Sequence, residues 1–335
     1  MRLLSVLPLL ITVMGLEQSL FAQSKPNLTV YSARKDHLIA PLFDAYEKKT
    51  GVKIQYVTDK APALLERVKA EGKRTNADIL MTVDAGNLWA AAEAGVLQPL
   101  NSESLKKAVP EAYRDPNMRW VGLSLRARTL AYDTRKIKPS DLKSYEDLAD
   151  PKWKGKLCLR TSKKVYNQSL VAMLMAELGA KETEKVVQGW VDNLAAKVFP
   201  NDTAALEAVA AGQCAVAIVN TYYYGRLKDK NEKLPVALYF PKEKAGGTHV
   251  NVSGAGILKH AKNADAAEKL LEWLVTADAQ KMFAEVNHEY PVVEKVAVSP
   301  SVKSWGAISP MTTNLSIAGE KQAEAIKLMD RVGYR

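Results

Sequence analysis

Short strand-like runs alternate with helical patterns along most of the chain, and this alternation constrains the fold more than any other feature. The apolar run at 28–32 is followed by apolar residues at helical spacing up to Tyr46, by Gly51 as a helix-ending residue, and by the strand-like run VKIQYV. A helical pattern over 61–71 and the run ADILMT repeat the unit. This order predicts βαβ units and a mostly parallel sheet, and therefore an α/β fold.

A second α/β series follows in the C-terminal half. It consists of a strand at 156–159, helices around 167–178 and 182–194, and the strand CAVAIVN. Between the two series, the segment WVGLSLRARTLAYDT is too long and too apolar for a surface loop, and we interpret it as strands that run between two lobes. Since 335 residues exceed what one hydrophobic core usually serves, we predict two α/β lobes with a cleft between them.

The first 22 residues have the pattern of a secretory signal peptide. An apolar stretch at 3–16 is followed by a short polar stretch and by a cleavage point after Ala22. An uncleaved membrane anchor is the alternative, but the stretch is short for that role and contains Pro8 and Gly15. We therefore expect cleavage of residues 1–22 and export of the rest of the chain.

The chain lacks the residue patterns of the common enzyme classes. It contains no GxSxG, HExxH, CxxC, Walker or GxGxxG motif, and its four histidines lack metal-ligand spacing. In an exported protein, Cys158 and Cys214 can form a disulfide, with two separately buried thiols as the alternative. We predict a binding protein and not an enzyme; a secreted hydrolase with an unrecognised site is the alternative.

The chain is basic, since 47 Lys and Arg residues exceed 37 Asp and Glu residues and give a net charge of +10. Such a charge is compatible with nucleic acid, an acidic membrane surface or a small anionic ligand. The basic residues are dispersed and form no aromatic-basic cluster, so we predict no binding of nucleic acid.

Three consecutive tyrosines, Tyr222, Tyr223 and Tyr224, are the strongest functional signal in the sequence. They follow an apolar strand ending at Val219, and either Asn220 or Thr221 is a natural N-cap of a helix. The carboxyl edge of a sheet is where open α/β folds bind ligands. Adjacent helical residues diverge by about 100°, so two phenols can converge while the third points away. Phenolate oxygen suits a hard trivalent cation such as Fe³⁺; aromatic packing or sugar stacking is the alternative.

Five segments resemble, in the same order, the periplasmic ferric-ion-binding proteins of iron ABC transporters, the bacterial transferrin-like group. They are LTVYSARKDHL, NADILMTVDAGNLWAAAEAGVLQPL, GLSLRARTLAYDT, LRTSKKVYNQSLVAML and AVAIVNTYYYGRL. The resemblance implies a two-lobed periplasmic-binding-protein fold of type 2, with a ligand cleft between lobes joined by crossover strands. On this basis we place the N-terminal lobe at 23–125 plus 250–300 and the C-terminal lobe at 126–249 plus 301–335.

The resemblance also implies a ligand set. The family's paired tyrosines fall on Tyr222 and Tyr223, and a third phenolate of some members falls on Tyr166 in YNQSL. Tyr224 occupies the position that does not bind metal.

An arginine of the family holds a synergistic anion, usually carbonate, against the metal, and Arg126 occupies that position. Arg128 is a second candidate for this role, with a solvated strand arginine as the alternative. Arg34 faces the same cleft by analogy, with a surface role as the alternative.

The chain departs from the members of the family that use histidine or glutamate ligands. Lys35 and Asp36 stand where some members have histidine or His-Tyr, and His37 comes two positions late. Val83 stands where the glutamate ligand would lie, and we interpret the neighbouring Asp84 as a helix cap. The departures favour a site of three tyrosines completed by an anion.

The resemblance therefore predicts a monomer that captures Fe³⁺, as the ion or as a ferric chelate, and delivers it to an ABC permease in the inner membrane. The alternative function is the binding of a small organic or phosphorylated anion by the same fold, with the arginines as the main contacts.

Overall fold

The structure is a computed structural model that describes residues 27–242 and 246–335. The predicted signal peptide lies outside the described residues. Nine strands occur within the described part: β1 (Asn27–Ser32), β2 (Lys53–Thr58), β3 (Ile79–Val83), β4 (Val121–Asp133), β5 (Leu157–Cys158), β6 (Val216–Asn220), β7 (Val236–Tyr239), β8 (Val250–Ile257) and β9 (Tyr290–Pro291).

The described part also contains 13 α-helices. They are α1 (Asp36–Thr50), α2 (Ala61–Glu71), α3 (Ala85–Glu93), α4 (Glu103–Ala108), α5 (Val165–Leu178), α6 (Ala180–Asp192), α7 (Asp202–Ala210), α8 (Thr221–Lys230), α9 (Ala264–Leu274), α10 (Ala277–Asn287), α11 (Pro300–Lys303), α12 (Ser316–Glu320) and α13 (Gln322–Arg331). The predicted helix at 61–71 is confirmed, as is Gly51, which ends α1 with φ of 73° in the left-handed region.

The strands follow the order β2-β1-β3-β8-β4-β6-β5, with β7 and β9 also paired to β4. The α/β class is confirmed, but the prediction of a mostly parallel sheet is wrong. The pairs β1–β2, β1–β3 and β5–β6 are parallel, whereas β8 runs antiparallel to β3 and β4, and β6, β7 and β9 run antiparallel to β4. The centre is antiparallel because the chain crosses it once in each direction, along β4 and back along β8.

The 13-residue strand β4 is the central connection of the molecule. Its first part, up to Ala127, pairs with β8, and its next residues, from Arg128 to Tyr132, pair with β6. The segment that we interpreted as strands between two lobes therefore forms a single strand, which pairs with β8 in its first part and with β6 in the next. The residue bounds given above for the two lobes stay a prediction.

Three hydrophobic clusters stabilise this arrangement. One packs α1, α9 and α10 against β1 and β3, and a second packs α7 against β6. The third joins α3, α5, α6, α12 and α13, so that α12 contacts both α3 and α5. Gly319 of α12 lies so close to Trp89 of α3 that a Cβ atom on the glycine would stand 2.5 Å from the Trp89 Cβ.

Cys158 of β5 and Cys214, just before β6, form a disulfide with 5.8 Å between their Cα atoms. The bond holds the outer strand of the sheet to its neighbour, since Cys158 pairs with Ala217 across the β5–β6 ladder. The sequence left the disulfide and two separately buried thiols open, and the structure has the disulfide.

Candidate metal centre

A cleft of about 860 Å³ opens beside the centre of the sheet. It is lined by the loop after β1, the start of α2, the starts of α5 and α8, and the segment after α10. Five of the six predicted site residues lie on its wall, namely Arg34, Arg126, Tyr166, Tyr222 and Tyr223. Residues that are up to 189 positions apart in the sequence are thus brought together in one cleft.

Tyr222 and Tyr223 lie in the first turn of α8, directly after β6. Asn220 precedes the helix as predicted, but its side chain makes no capping hydrogen bond; its amide nitrogen instead donates to the Tyr222 hydroxyl at 3.3 Å. The ring centroids of Tyr222 and Tyr223 are 4.4 Å apart. Tyr224 is buried and meets Trp305 edge-on at 5.6 Å, so the prediction that the third ring points away is confirmed.

Tyr166 enters the same site from the first turn of α5. Its ring is buried, and the Tyr222 hydroxyl lies next to its oxygen. Three cationic groups surround the ring: the guanidinium carbons of Arg126 and Arg160 stand 5.9 and 5.5 Å from the ring centroid, and Lys164 Nζ stands 5.1 Å from it. Positive charge therefore surrounds a phenol that would have to become anionic to bind a metal.

The environment keeps the buried phenols protonated while no cation is present. Burial raises the pKa of Tyr166 and raises that of Tyr222 well above its ordinary value, and Tyr223 raises both further. The contact between Tyr166 and Tyr222 raises the pKa of Tyr222, whereas its hydrogen bond lowers the pKa of Tyr166. The charge of Arg126 acts in the opposite direction on both groups. A cation bound between these oxygens would displace their protons, so its binding would release protons to the solvent.

Arg126 and Arg34 are both buried, and they share a hydroxyl group. Arg126 Nη1 donates to Ser253 Oγ at 3.4 Å, and Arg34 Nη1 donates to the same oxygen at 2.6 Å. Arg34 also forms a bidentate ion pair with Glu289, with distances of 3.2 and 3.0 Å. Arg34 is only 2% exposed, so the alternative of a surface role for it is wrong. Both guanidinium groups line the cleft beside the tyrosines.

Arg128 lies behind the tyrosines and is absent from the cleft wall. It is 2% exposed, so the alternative of a solvated strand arginine is wrong. Its Nη1 pairs with Asp202 at 3.1 Å and donates to Asn220 Oδ1 at 3.0 Å. The anion-binding role expected of Arg128 stays a prediction, and its contacts support another role, which is developed below.

Asp84 caps α3, as predicted. Its Oδ1 accepts hydrogen bonds from the Gly86 N–H at 3.0 Å and from Ser169 Oγ at 2.6 Å, and its Oδ2 accepts from Asn251 at 3.0 Å. Burial raises the pKa of this carboxyl, while the charge of Arg126 lowers it.

The residues at the start of α1 lie at the surface. Lys35, Asp36 and His37 are exposed, and Lys35 alone of the three lines the cleft. Asp36 accepts a hydrogen bond from the Tyr56 hydroxyl at 2.6 Å. This contact lies outside the tyrosine site.

Several charged groups of the site were not predicted from the sequence. Lys164 stands two residues before Tyr166 in the quoted segment LRTSKKVYNQSLVAML, and its position at the start of a helix could have identified it. Arg226, four residues after Tyr222, stacks on that ring at 5.2 Å and could have been found from helical spacing. Glu289 offers no sequence signal, because it reaches Arg34 from 255 positions away.

The donor set of the cleft is unusual for a metal site. Within residues 27–242 and 246–335, no group of three or more His, Cys, Asp and Glu residues is arranged to hold a metal ion. The oxygens that converge in the cleft are phenolic, and such hard donors suit a hard trivalent cation.

None of the helices in the described ranges has both the length and the apolar character needed to cross a membrane.

The sequence matches the family of bacterial extracellular solute-binding proteins over residues 41–310, and the chain belongs to that family. Its relatives define a narrower group. Iron uptake protein A2 of Synechocystis is 42% identical over 97% of this chain and 94% of its own length. A solved structure of the Trichodesmium protein IdiA (FutA), in complex with iron and citrate, is 44% identical, with a TM-score of 0.89 over 92% of this chain and all of that chain.

The ferric binding protein of Campylobacter jejuni is 34% identical, with a TM-score of 0.86 over 92% of this chain and all of that chain. The predicted two-lobed solute-binding fold and the resemblance to ferric-ion-binding proteins are therefore confirmed. The names of these relatives refer to iron uptake, to a complex with iron and citrate, and to ferric binding.

Proposed function

We propose that the chain binds Fe³⁺ through the phenolate oxygens of Tyr166, Tyr222 and Tyr223, together with a synergistic anion held by Arg126 and Arg34. The observation that carries this proposal is the meeting of three phenols from two helix starts on the wall of one cationic cleft. The names of the relatives, which refer to iron uptake, ferric binding and a complex with iron and citrate, support the same cation.

Charge balance explains why the proposed site needs an anion and an arginine. Three phenolates cancel the 3+ charge of the metal, and a bound carbonate or carboxylate then has to be balanced by Arg126. The second arginine, Arg34, is already neutralised in part by Glu289, so it supplies hydrogen-bond donors more than net charge. Carbonate is the anion implied by the family resemblance. The citrate of the Trichodesmium complex is also an anion whose charge lies on oxygen atoms.

The proposed biological role is iron uptake. A monomer in the periplasm would take up the ferric ion, or a ferric chelate, and deliver it to an ABC permease of the inner membrane. The cleft volume of about 860 Å³ leaves room for an organic anion beside the ion. Closure of the lobes would exclude water and strengthen each contact with the ion.

The test is the visible absorption spectrum of the metal-free protein after addition of ferric citrate and bicarbonate. We expect a phenolate-to-iron charge-transfer band in the wild type, and its loss in Tyr222→Phe and in Tyr166→Phe. Tyr224→Phe is the matched control, since this neighbouring ring packs against Trp305 and should leave the band unchanged.

A colourless wild-type protein under these conditions would contradict the ferric proposal. The alternative function, binding of a small organic or phosphorylated anion, is favoured by Lys163, Lys164 and Arg226, which add positive charge to the cleft wall. In that case anions alone should raise the melting temperature, and the tyrosine-to-phenylalanine variants should respond to them as the wild type does.

A further inference from the structure

We propose that Arg128 is a positioning residue that fixes the relative geometry of the two helices carrying the tyrosines. This inference rests on the proposed ferric function and adds a residue that does not itself touch the ion. Arg128 lies on β4, behind the cleft wall, between the starts of α5 and α8. Its guanidinium reaches an amide beside each of two proposed ligands, Tyr166 and Tyr222.

The first of these contacts runs toward α8. Arg128 Nη1 donates to Asn220 Oδ1 at 3.0 Å, and Asn220 Nδ2 donates in turn to the Tyr222 hydroxyl at 3.3 Å. Because Asn220 uses its carbonyl oxygen for the arginine, its NH₂ group is the end that faces the phenol. Arg128 therefore determines which group of Asn220 is presented to Tyr222.

The second contact runs toward α5. Arg128 Nη2 donates a short hydrogen bond to Asn167 Oδ1, and Asn167 follows Tyr166 directly in the chain. Asn167 Nδ2 donates to the backbone carbonyl oxygens of Arg160 and Thr161, each at 3.0 Å. The start of α5 is thus held both to β4 and to the loop that precedes the helix.

A single buried carboxylate secures the arginine. Asp202 is fully buried and lies 3.1 Å from Arg128 Nη1 and 3.3 Å from Arg160 Nη1, and it accepts the Asn220 backbone N–H at 3.0 Å. Two guanidinium groups share one carboxylate, so the cluster carries an excess positive charge just behind the phenols. That excess favours anionic oxygens in the proposed metal site.

The planar fork of arginine is what this role requires. Arginine presents several N–H donors in fixed directions, and in Arg128 the Nη1 and Nη2 atoms donate to the amides beside different helices. A lysine ammonium is a point charge on a flexible stem, so it cannot hold both amides in fixed directions. A residue needed only to neutralise Asp202 could be replaced by lysine, or its loss could be compensated by Arg160. A positioning residue could not.

The experiment compares Arg128→Met, Arg128→Lys and the control Arg119→Met. Arg119 also pairs with a fully buried carboxylate, Asp115, at 2.9 Å, but it lies away from the cleft. Each protein is loaded with ferric citrate and bicarbonate. The position of the charge-transfer band, the rate of iron release to a competing chelator, and the melting temperature are then measured.

We expect both Arg128 variants to release iron faster, by about 10- to 100-fold, which is the usual effect of removing a residue that orients a metal ligand. Their charge-transfer maximum should shift, whereas Arg119→Met should lose thermal stability without a change in band or release rate. An unchanged band and release rate in Arg128→Met, or full recovery of both in Arg128→Lys, would overturn the proposal, since charge alone would then be sufficient.

If Arg128→Met does not fold, Asn220→Ala provides the second test, because it keeps the Arg128–Asp202 pair and removes only the amide at Tyr222. Faster iron release in Asn220→Ala supports the proposal, and wild-type release overturns it. A wild-type protein without the band refutes the ferric function itself. A coloured wild type with indistinguishable variants refutes this inference alone.

Discussion

Acid should weaken the folded protein through one buried histidine, His249. Its side chain lines the same small buried cavity as Arg126 and Arg128, and within the described residues its Nδ1 atom has no hydrogen-bond partner. Burial, and then the charges of Arg128 and Arg126, lower the pKa of this imidazole to about 3. Protonation would add a third positive charge to a region that already holds two guanidinium groups.

The sign and size of the effect follow from linkage. Between pH 6.5 and about 3 the unfolded chain binds a proton at His249 and the folded protein does not, so the free energy of unfolding falls as the pH falls through this window. With an ordinary histidine pKa of 6.5 and a folded value of about 3, the loss between pH 8 and pH 5 amounts to about 2 kcal/mol.

Urea denaturation of the wild type and of His249→Gln at pH 8 and pH 5 measures this loss. Carboxyl groups also titrate in this range, so the relevant quantity is the difference between the two proteins. We expect His249→Gln to lose about 2 kcal/mol less than the wild type on acidification. The exposed His37 provides the control variant His37→Gln, which should lose as much as the wild type. Equal losses in all three proteins would refute the reasoning.

Two further predictions concern stability. Replacing Cys158 and Cys214 by serine should lower the free energy of unfolding by about 4 kcal/mol at 25 °C, because the disulfide closes a loop with a sequence separation of 56. Reduction of the wild type should lower the free energy of unfolding by a similar amount in denaturation measurements. An unchanged unfolding transition would contradict this prediction. Gly319→Ala should lower the free energy of unfolding by about 1–3 kcal/mol, and with it the melting temperature, because the added Cβ atom would overlap with Trp89. A melting temperature equal to that of the wild type would show that α3 and α12 can move apart without loss of stability.

The fold was largely predictable from local patterns, and the centre of the sheet was not. Hydrophobic periodicity located helices such as α1, whose apolar residues at helical spacing, among them Leu38, Leu42 and Tyr46, are buried. The position of β8 between β3 and β4 could not be predicted, because it depends on pairing between segments more than 120 residues apart. That insertion makes the centre antiparallel.

The candidate site was predictable where its residues are adjacent in the chain. The triplet 222–224 follows a strand directly, so its position at the sheet edge could be inferred from local order. The surroundings of Arg34 and Arg128 could not be inferred in this way, because their buried partners Glu289 and Asp202 lie 255 and 74 positions away. Both arginines are buried in hydrogen-bonded networks, which rules out the surface position that was the alternative for Arg34 and the solvated position that was the alternative for Arg128.

The place of β8 in the sheet also has a consequence for folding. Residues 250–257 form the strand between β3 and β4, so the first 249 residues lack the strand that joins these two. Contacts between such distant segments form slowly, because the entropy lost in closing the long loop between them precedes the stabilisation that the contacts provide. The sheet beside the cleft would therefore be completed only after residues 250–257 have paired with both neighbouring strands.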